Sequence, residues 1–354
     1  MTSKADHVTI LDKDSKMIAI SIIIPIFNVE KYVEECLSSV CNQSLREIEI
    51  ICIDDRGQDG SMDIVQQYAE KDLRIRILKH EENMGMGISR NTGIAAATGE
   101  FIFFLDSDDY IEPGILEKLY HKITQTSSDI VGARFHAFPD DPSNAVMCER
   151  AKTFNVENAF VRAVDNYKVS LTRYDEAVSL LPSGVVWNKL YSTDFVRENN
   201  LRFADQQKKI AFEDEGFNIK LFSCKPKISV ITDVSVNYRL RQRSITSTST
   251  VEEHHYNMNL VLADALSYVE SHLPQKDARL VTRAVKKMFP AHFTKRWYRN
   301  LYNVRWTHRN KMVKILGVPI FRQKIHLPGE KRTKIFGVTI SKEKLVDNKN
   351  QLSS

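Results

Sequence analysis

The sequence lacks the features that would mark an exported, disulfide-stapled or membrane-spanning protein. Its five cysteines (Cys36, Cys41, Cys52, Cys148, Cys224) are odd in number and scattered, with no Cys-x-x-Cys pair. That excludes a disulfide framework and a thiolate zinc site, and it suits a reducing compartment. The polar stretch Met1 to Lys16 has no apolar core of a secretory signal, and no later run reaches the ~18 apolar residues that cross a bilayer. The expectation is a cytoplasmic protein that does not span a membrane. Acids are scarce in one region only: from Lys276 to Lys344 there are nineteen lysines and arginines against three acids, although the whole chain carries a net charge of only +5. That end is expected to face something anionic, and with no recognition motif beside it nucleic acid is not expected.

The 354 residues suffice for one large α/β domain with a smaller appendage. Ile18 to Ile24 reads as a buried strand ended by Pro25, and the helical spacing of Val29, Tyr32, Val33, Cys36, Leu37 and Val40 follows. Ile48 to Ile53 is a second strand, with Asp59 or Ser61 capping the next helix. Strands at Ile75 to Leu78, Phe101 to Leu105 and Ile130 to Phe135 alternate with helices at about Ile88 to Ala97 and after Pro113. This alternation predicts a mostly parallel α/β sheet flanked by helices, with ligands at the carboxyl ends of its strands. Signals weaken from Asp140 to Pro182, and two further strands are expected near Ile228 to Ile231 and Val234 to Leu240. The division is a tail (1–17), a main α/β domain (18–250) and a helical, basic extension (251–354). Within that extension Lys314-Ile315-Leu316-Gly317-Val318-Pro319-Ile320 recurs as Lys334-Ile335-Phe336-Gly337-Val338-Thr339-Ile340, which suggests a hairpin-like end.

The chemistry concentrates where apolar strands stop in acids. Phe101-Ile102-Phe103-Phe104-Leu105 runs into Asp106-Ser107-Asp108-Asp109, and the second strand ends in Asp54-Asp55. Unpaired buried charge costs several kcal/mol, so these acids need a cation. In a parallel sheet both groups open on one edge, and hard carboxylate oxygens close together suit Mg²⁺ or Mn²⁺ with phosphate oxygens completing the shell. An EF-hand beginning at Asp106 fails, because Ile111 stands where the loop needs glycine. Gly85-Met86-Gly87-Ile88-Ser89-Arg90 imitates a dinucleotide fingerprint and is better read as a tight turn that starts a helix.

Six ordered motifs between Ile18 and Thr246 resemble the family 2 glycosyltransferases. They are Ser21-Ile22-Ile23-Ile24-Pro25-Ile26-Phe27-Asn28, Asp54-Asp55, Asn83-x-Gly85 with Ser89-Arg90-Asn91-Thr92-Gly93, Leu105-Asp106-Ser107-Asp108-Asp109, Trp187-Asn188-Lys189-Leu190-Tyr191, and Phe212-Glu213-Asp214-Glu215 followed by Tyr238-Arg239 and Arg243-Ser244. The later ones are similar to the bacterial branch that builds capsules, O-antigens and lipooligosaccharides. The resemblance implies a GT-A fold, a UDP-sugar donor and Mn²⁺ or Mg²⁺. It places Pro25, Asn28, Asp54, Asp55 and Asn83 at the nucleotide, Asp106 and Asp108 at the metal, and Asp214 as the base of an inverting transfer. Arg90 contacts either the nucleotide or the sheet edge, and Lys189 and Arg243 are candidates for the diphosphate. One departure matters: Arg56 replaces the glycine usual after Asp54-Asp55, where positive φ or close nucleotide approach is common. Asp109 is left to cap a helix.

Aromatics recur with basic residues from Phe289 to Trp306. Such a helix either lies on an anionic membrane surface or packs its aromatic face on the catalytic domain. The implied acceptor is a glycan, lipid-linked at the inner face of the cell membrane. Three rivals are a sugar nucleotidyltransferase, which would need a glycine-rich phosphate loop where Pro25 to Asn28 stands, a two-carboxylate hydrolase, and an inactive scaffold protein of a polysaccharide assembly complex.

Overall fold

The computed structural model describes residues 17–159, 163–173, 185–205, 210–242 and 250–289, with five strand segments between 306 and 344. Strands β1 (Ile20–Ile26), β2 (Ile48–Asp54), β3 (Ile75–Lys79), β4 (Phe101–Phe104), β5 (Tyr110–Ile111), β6 (Ile130–Pro139), β7 (Val164–Lys168), β8 (Lys189–Ser192) and β9 (Lys227–Leu240) form one nine-stranded sheet. Its order is β3-β2-β1-β4-β8-β6-β9-β5, with β7 paired to β9. The half β3-β2-β1-β4 is parallel throughout, as βαβ crossovers require, and antiparallel pairing enters at β8. Helices α1 (Val33–Cys41), α2 (Ser61–Lys71), α3 (Met86–Ala96), α4 (Ile115–Thr126) and α5 (Ala145–Ala159) follow in chain order. They are succeeded by α6 (Thr193–Glu198), α7 (Glu213–Ser223), α8 (Val251–His272) and α9 (Gln275–Met288).

β1 shows why the sheet is buried on both faces. Its period of two sends Ile20, Ile22, Ile24 and Ile26 into one apolar core and Ile23 into the other, and β-branched side chains fit both. The strand runs through Pro25 to Ile26, one residue beyond the stop expected from sequence, and pairing with β4 has already ended at Ile23. Ser21, the polar member, is consumed in a buried knot. Its Oγ donates to Glu49 Oε1 at 2.7 Å, and Glu49 also accepts from Thr98 N at 2.6 Å and pairs with Arg76 at 2.5 Å.

The two strands expected near 228–231 and 234–240 are one strand, β9. Pairing with β6 slips between Gly132 and Arg134, so Val230 and Ser235 sit opposite near neighbours while 231–234 have no register partner on β6. The polar Thr232-Asp233 in that bulge looks like a strand end in sequence. A larger correction concerns the C-terminus. The helical reading holds for α8, opened by a capping box between Thr250 and Glu253, and for α9. Beyond it the chain forms a five-stranded antiparallel sheet: β10 (Trp306–Thr307), β11 (Asn310–Ile315), β12 (Val318–His326), β13 (Glu330–Ile335) and β14 (Val338–Lys344). The repeated heptapeptide marks two hairpins with the same register, Ile315 opposite Val318 and Ile335 opposite Val338, each preceded by the same slip. Alternation of charged and β-branched residues there has the strand period. Of the expected 289–306 helix only its ends are described, Phe289 closing α9 and Trp306 opening β10; residues 290–305 lie outside the described residues.

Two local geometries are costly. Arg56 sits at φ +62°, so the side chain at the usual glycine position adopts the left-handed conformation. Left-handed strain of ~1–2 kcal/mol outweighs the ~0.4–1 kcal/mol of unfolded-state entropy that glycine adds. Arg56→Gly is therefore expected to raise the unfolding free energy by about 0.5–1 kcal/mol in denaturant titrations. Gly93 lets α3 press onto β1, and a Cβ there would lie 2.3 Å from Ile23 Cγ2. Gly93→Ala should cost about 1–3 kcal/mol by overpacking, read as a lower midpoint of thermal unfolding, and Ile23→Val should recover part of it.

Candidate active site

The parallel half of the sheet carries β1, β2 and β4 to one edge, and their first loop residues build a single surface. Ile26 and Asp54 are register partners, and Asp55 N donates to Ile26 O at 3.0 Å. Asn28, at φ +52°, accepts from Gln58 N at 2.7 Å and so ties the loop after β1 to the loop after β2. Asparagine tolerates that conformation better than most residues. Asp54 is buried, and its Oδ1 accepts from Arg56 N at 2.9 Å, which holds Arg56 in its turn.

Asp55 is occupied otherwise. Its two oxygens accept from Met84 N and Gly85 N at 2.8 Å each, and His80 Nδ1 lies 2.8 Å away. His80 Nε2 is in turn 2.9 Å from Thr92 Oγ1 on α3. Asp55 is thus a brace that fixes the start of α3, with Gly85 at φ +91° as the residue before it. The turn-and-helix reading of Gly85 to Arg90 holds. His80 escaped sequence reasoning; its only signal was a polar residue directly after a strand. Asn83 contributes a buried Oδ1 with no hydrogen-bond partner, an acceptor facing no donor of the chain.

Arg90 neither stands free for a ligand nor lies on the sheet edge. Its side chain is only 2% exposed; Nη1 donates to Glu213 Oε1 at 2.8 Å and Asp214 Oδ1 at 2.7 Å, and Nη2 donates to Asp106 Oδ1 at 2.7 Å. Its guanidinium also lies 5.2 Å from the Phe203 ring centre. Burial works against this charge and the three carboxylates outweigh it, so the guanidinium is held above its ordinary value. One cation cannot neutralise three acids. Burial, opposed by Arg90 and reinforced by repulsion from Glu213 and Asp106, pushes Asp214 up to about 8. Burial raises Glu213 too.

Asp214 is presented by an unusual turn. Phe212 takes φ +66° immediately before α7, an outlier for an aromatic residue, and packs edge-on against His254 at 4.9 Å. The first turn of α7 then carries Glu213, Asp214 and Glu215, where the helix dipole favours negative charge. Lys189 faces this turn from β8. It is 1% exposed; its Nζ donates to Val185 O and, at 2.9 Å, to Asn188 Oδ1, while burial, opposed by Asp214 and Glu215, lowers it to about 7. A buried lysine so engaged is a different object from the diphosphate contact expected of it. Arg243 lies outside the described residues.

The acids after β4 separate into different roles. Asp108 meets Arg241, Nε to Oδ2 at 2.6 Å, and is raised by burial and by Asp106 against the pull of Arg241. Asp109 is 1% exposed, accepts from Arg239 N at 2.7 Å and leaves Oδ2 without a partner. Burial and its two acidic neighbours push it well above the carboxylate range. It caps no helix, since α4 begins six residues later, and the expected capping role is replaced by this bond to β9. Arg239 also donates from Nε to Asp108 O at 2.9 Å and pairs with Glu35. Arg241 was missed in the sequence; it stands one residue past the end of β9 and alternates with Arg239 at the strand period.

Asp106 and Asp108 fit a divalent cation by the chemistry of their hard oxygens and by the crowding that keeps Asp108 raised. Among the described residues no three His, Cys, Asp or Glu side chains form a ready-made cage.

Comparison with known proteins follows this geometry. A model of glycosyl transferase family 2 matches residues 21–176. EpsH of Bacillus subtilis (strain 168) is 31% identical over 229 residues, covering 64% of this chain and 62% of EpsH. The chain therefore spans a little under two thirds of that relative. GlyG of Streptococcus pneumoniae serotype 4, named a glycosyltransferase, is 28% identical over 229 residues, 65% of this chain and 73% of GlyG. Staphylococcus aureus TarS 1–349, solved in complex with UDP-GlcNAc, shares the fold with a TM-score of 0.59 at 24% identity, over 81% of this chain and 76% of that one. With the parallel β3-β2-β1-β4 half and the acid-ended strands inside the matched segment, residues 21–176 form a glycosyl transferase family 2 domain, and the chain shares the GT-A fold of TarS.

Proposed function

We propose that the chain transfers a sugar from a UDP-activated donor to a glycan acceptor with inversion at the anomeric carbon. One observation carries the reading. A single buried guanidinium brings Asp106, at the end of β4, and Asp214, at the start of α7, onto the same cation, so the acid suited to the donor's metal and the acid suited to proton removal share one cleft. Asn83 Oδ1 and Asp54 offer buried acceptors at the nucleotide edge, beside Pro25 near the end of β1 and Asn28 in the loop after it. The UDP-GlcNAc held by TarS favours a uridine donor.

Asp106 and Asp108 would hold Mn²⁺ or Mg²⁺, which when bound offsets charge on the departing diphosphate. Asp214 accepts the proton of the acceptor hydroxyl as that oxygen attacks the anomeric carbon from the face opposite the leaving group. Arg90 orients Asp214 and keeps its ionised form within reach despite burial. Lys189, behind the same turn, favours the carboxylate only while it stays protonated, and burial lowers it to about 7.

The acceptor is proposed to be lipid-linked, in cell-surface polysaccharide synthesis at the inner face of the cell membrane, the catalytic domain ending near residue 250. Among the described residues no helix is long and apolar enough to cross a membrane. α9 turns Ala278, Val281 and Val285 into the core and leaves Arg279 and Arg283 exposed, a basic face suited to anionic headgroups.

Asp108→Asn and Asp214→Asn should each lower transfer from a panel of UDP-sugars by about 100-fold or more while leaving the thermal unfolding midpoint near that of the unaltered chain. Full activity in the Asp214 variant would remove the base assignment. The free-enzyme profile of kcat/KM should lose activity as pH falls, because Asp214 must be deprotonated. Its acidic limb should lie near the raised value of about 8, several pH units above that of an ordinary carboxylate.

A further inference from the structure

We propose that Arg241 is an internal counter-ion that occupies Asp108 until a divalent cation takes its place, and that its release makes cation and nucleoside diphosphate bind cooperatively. The inference rests on the metal reading above and concerns what the chain does before either ligand arrives.

Each acid of the Asp106-x-Asp108 pair is held by its own arginine, and the two arginines differ. Arg90 is 2% exposed and aligns three hydrogen bonds with three carboxylates. Arg241 is 24% exposed and stands 2.6 Å from Asp108, yet its Nε has no aligned hydrogen bond. The first contact is shaped by geometry, whereas the second is held by charge alone. Charge-only contacts exchange for a stronger cation most readily, and Mn²⁺ or Mg²⁺ brings twice the charge on a smaller radius.

The displaced arginine has somewhere to go. The guanidinium of Arg241 already lies 5.3 Å from the centre of the Tyr32 ring, and the Tyr32 hydroxyl is anchored by a 2.8 Å bond to Asp140. Asp140 is also bonded by Lys31 at 3.0 Å and lies 3.7 Å from Arg239 Nη1, so it is already balanced and does not recapture Arg241. Swung onto the ring, Arg241 is a cation without a carboxylate, beside the position where a diphosphate must meet the metal. The cation takes Asp108 from Arg241, and the diphosphate supplies Arg241 with a new anion. Each ligand thereby removes the obstacle to the other, and linkage requires the two effects to be equal.

Mn²⁺ binding to the full chain, followed by the electron paramagnetic resonance of free Mn²⁺ with and without UDP, tests this. In the unaltered chain UDP should tighten Mn²⁺ binding on the order of tenfold or more. Arg241→Gln should bind Mn²⁺ alone about tenfold more tightly and lose most of the UDP effect. Arg241→Lys, which keeps the charge, should resemble the unaltered chain, and Tyr32→Leu should weaken the UDP effect without touching Asp108. A purely phosphate-binding or structural Arg241 leaves Mn²⁺ affinity without UDP unchanged or weaker in Arg241→Gln, and that result overturns the proposal while the glycosyltransferase reading stands. No Mn²⁺ binding by the unaltered chain in the presence of UDP overturns the metal reading and this inference together.

Discussion

The site depends on one charge shared three ways. Arg90 satisfies Asp106, Glu213 and Asp214 at once, and without it three buried carboxylates from two distant segments would repel one another in a medium that screens poorly. The position of Arg90 is itself built. Asp55 fixes the entry to α3 through Met84 and Gly85, and Gly93 lets the helix lie close on β1. Strand register, helix placement and ion cluster are therefore successive conditions for the same geometry.

Around that centre the charges are graded by exposure. Arg90 and Lys189 are sealed from solvent, Arg239 and Arg241 stand at the rim, and Lys31 is 70% exposed. Interior groups hold the cleft in shape and rim groups can change partners. The acids follow the same gradient. Asp109 lies underneath, its carboxyl pushed up by burial and by its acidic neighbours, while Asp106 and Asp108 open toward the cleft.

Much of this was legible in the sequence. The isoleucine run of β1, the acids that end β2 and β4, and the odd Arg56 gave the sheet, its functional edge and one strained turn, because strand periodicity and abrupt changes of polarity are local signals. The partners of Arg90 were not legible, since Glu213 lies 123 residues away and nothing local distinguishes a clamping arginine from a ligand-binding one. β9 appeared as two strands because a bulge carries polar residues as a chain end does. The hairpin-like end was legible from the heptapeptide repeat, and what the repeat did not reveal is that its strands join into one five-stranded antiparallel sheet. His80 and Arg241 act through neighbours that only the fold brings together.

The acidic loop itself is short and held at both ends. β4 pairs with β1 up to Phe104, and β5 pairs with β9 from Tyr110, so five residues bridge two parts of one sheet. A bridge of that length has almost no slack, and its acids keep their spacing whatever occupies the cleft. Diversification toward new donors would then fall to side chains reaching in from neighbouring loops, with the bridge serving as a fixed ruler against which any such change is measured.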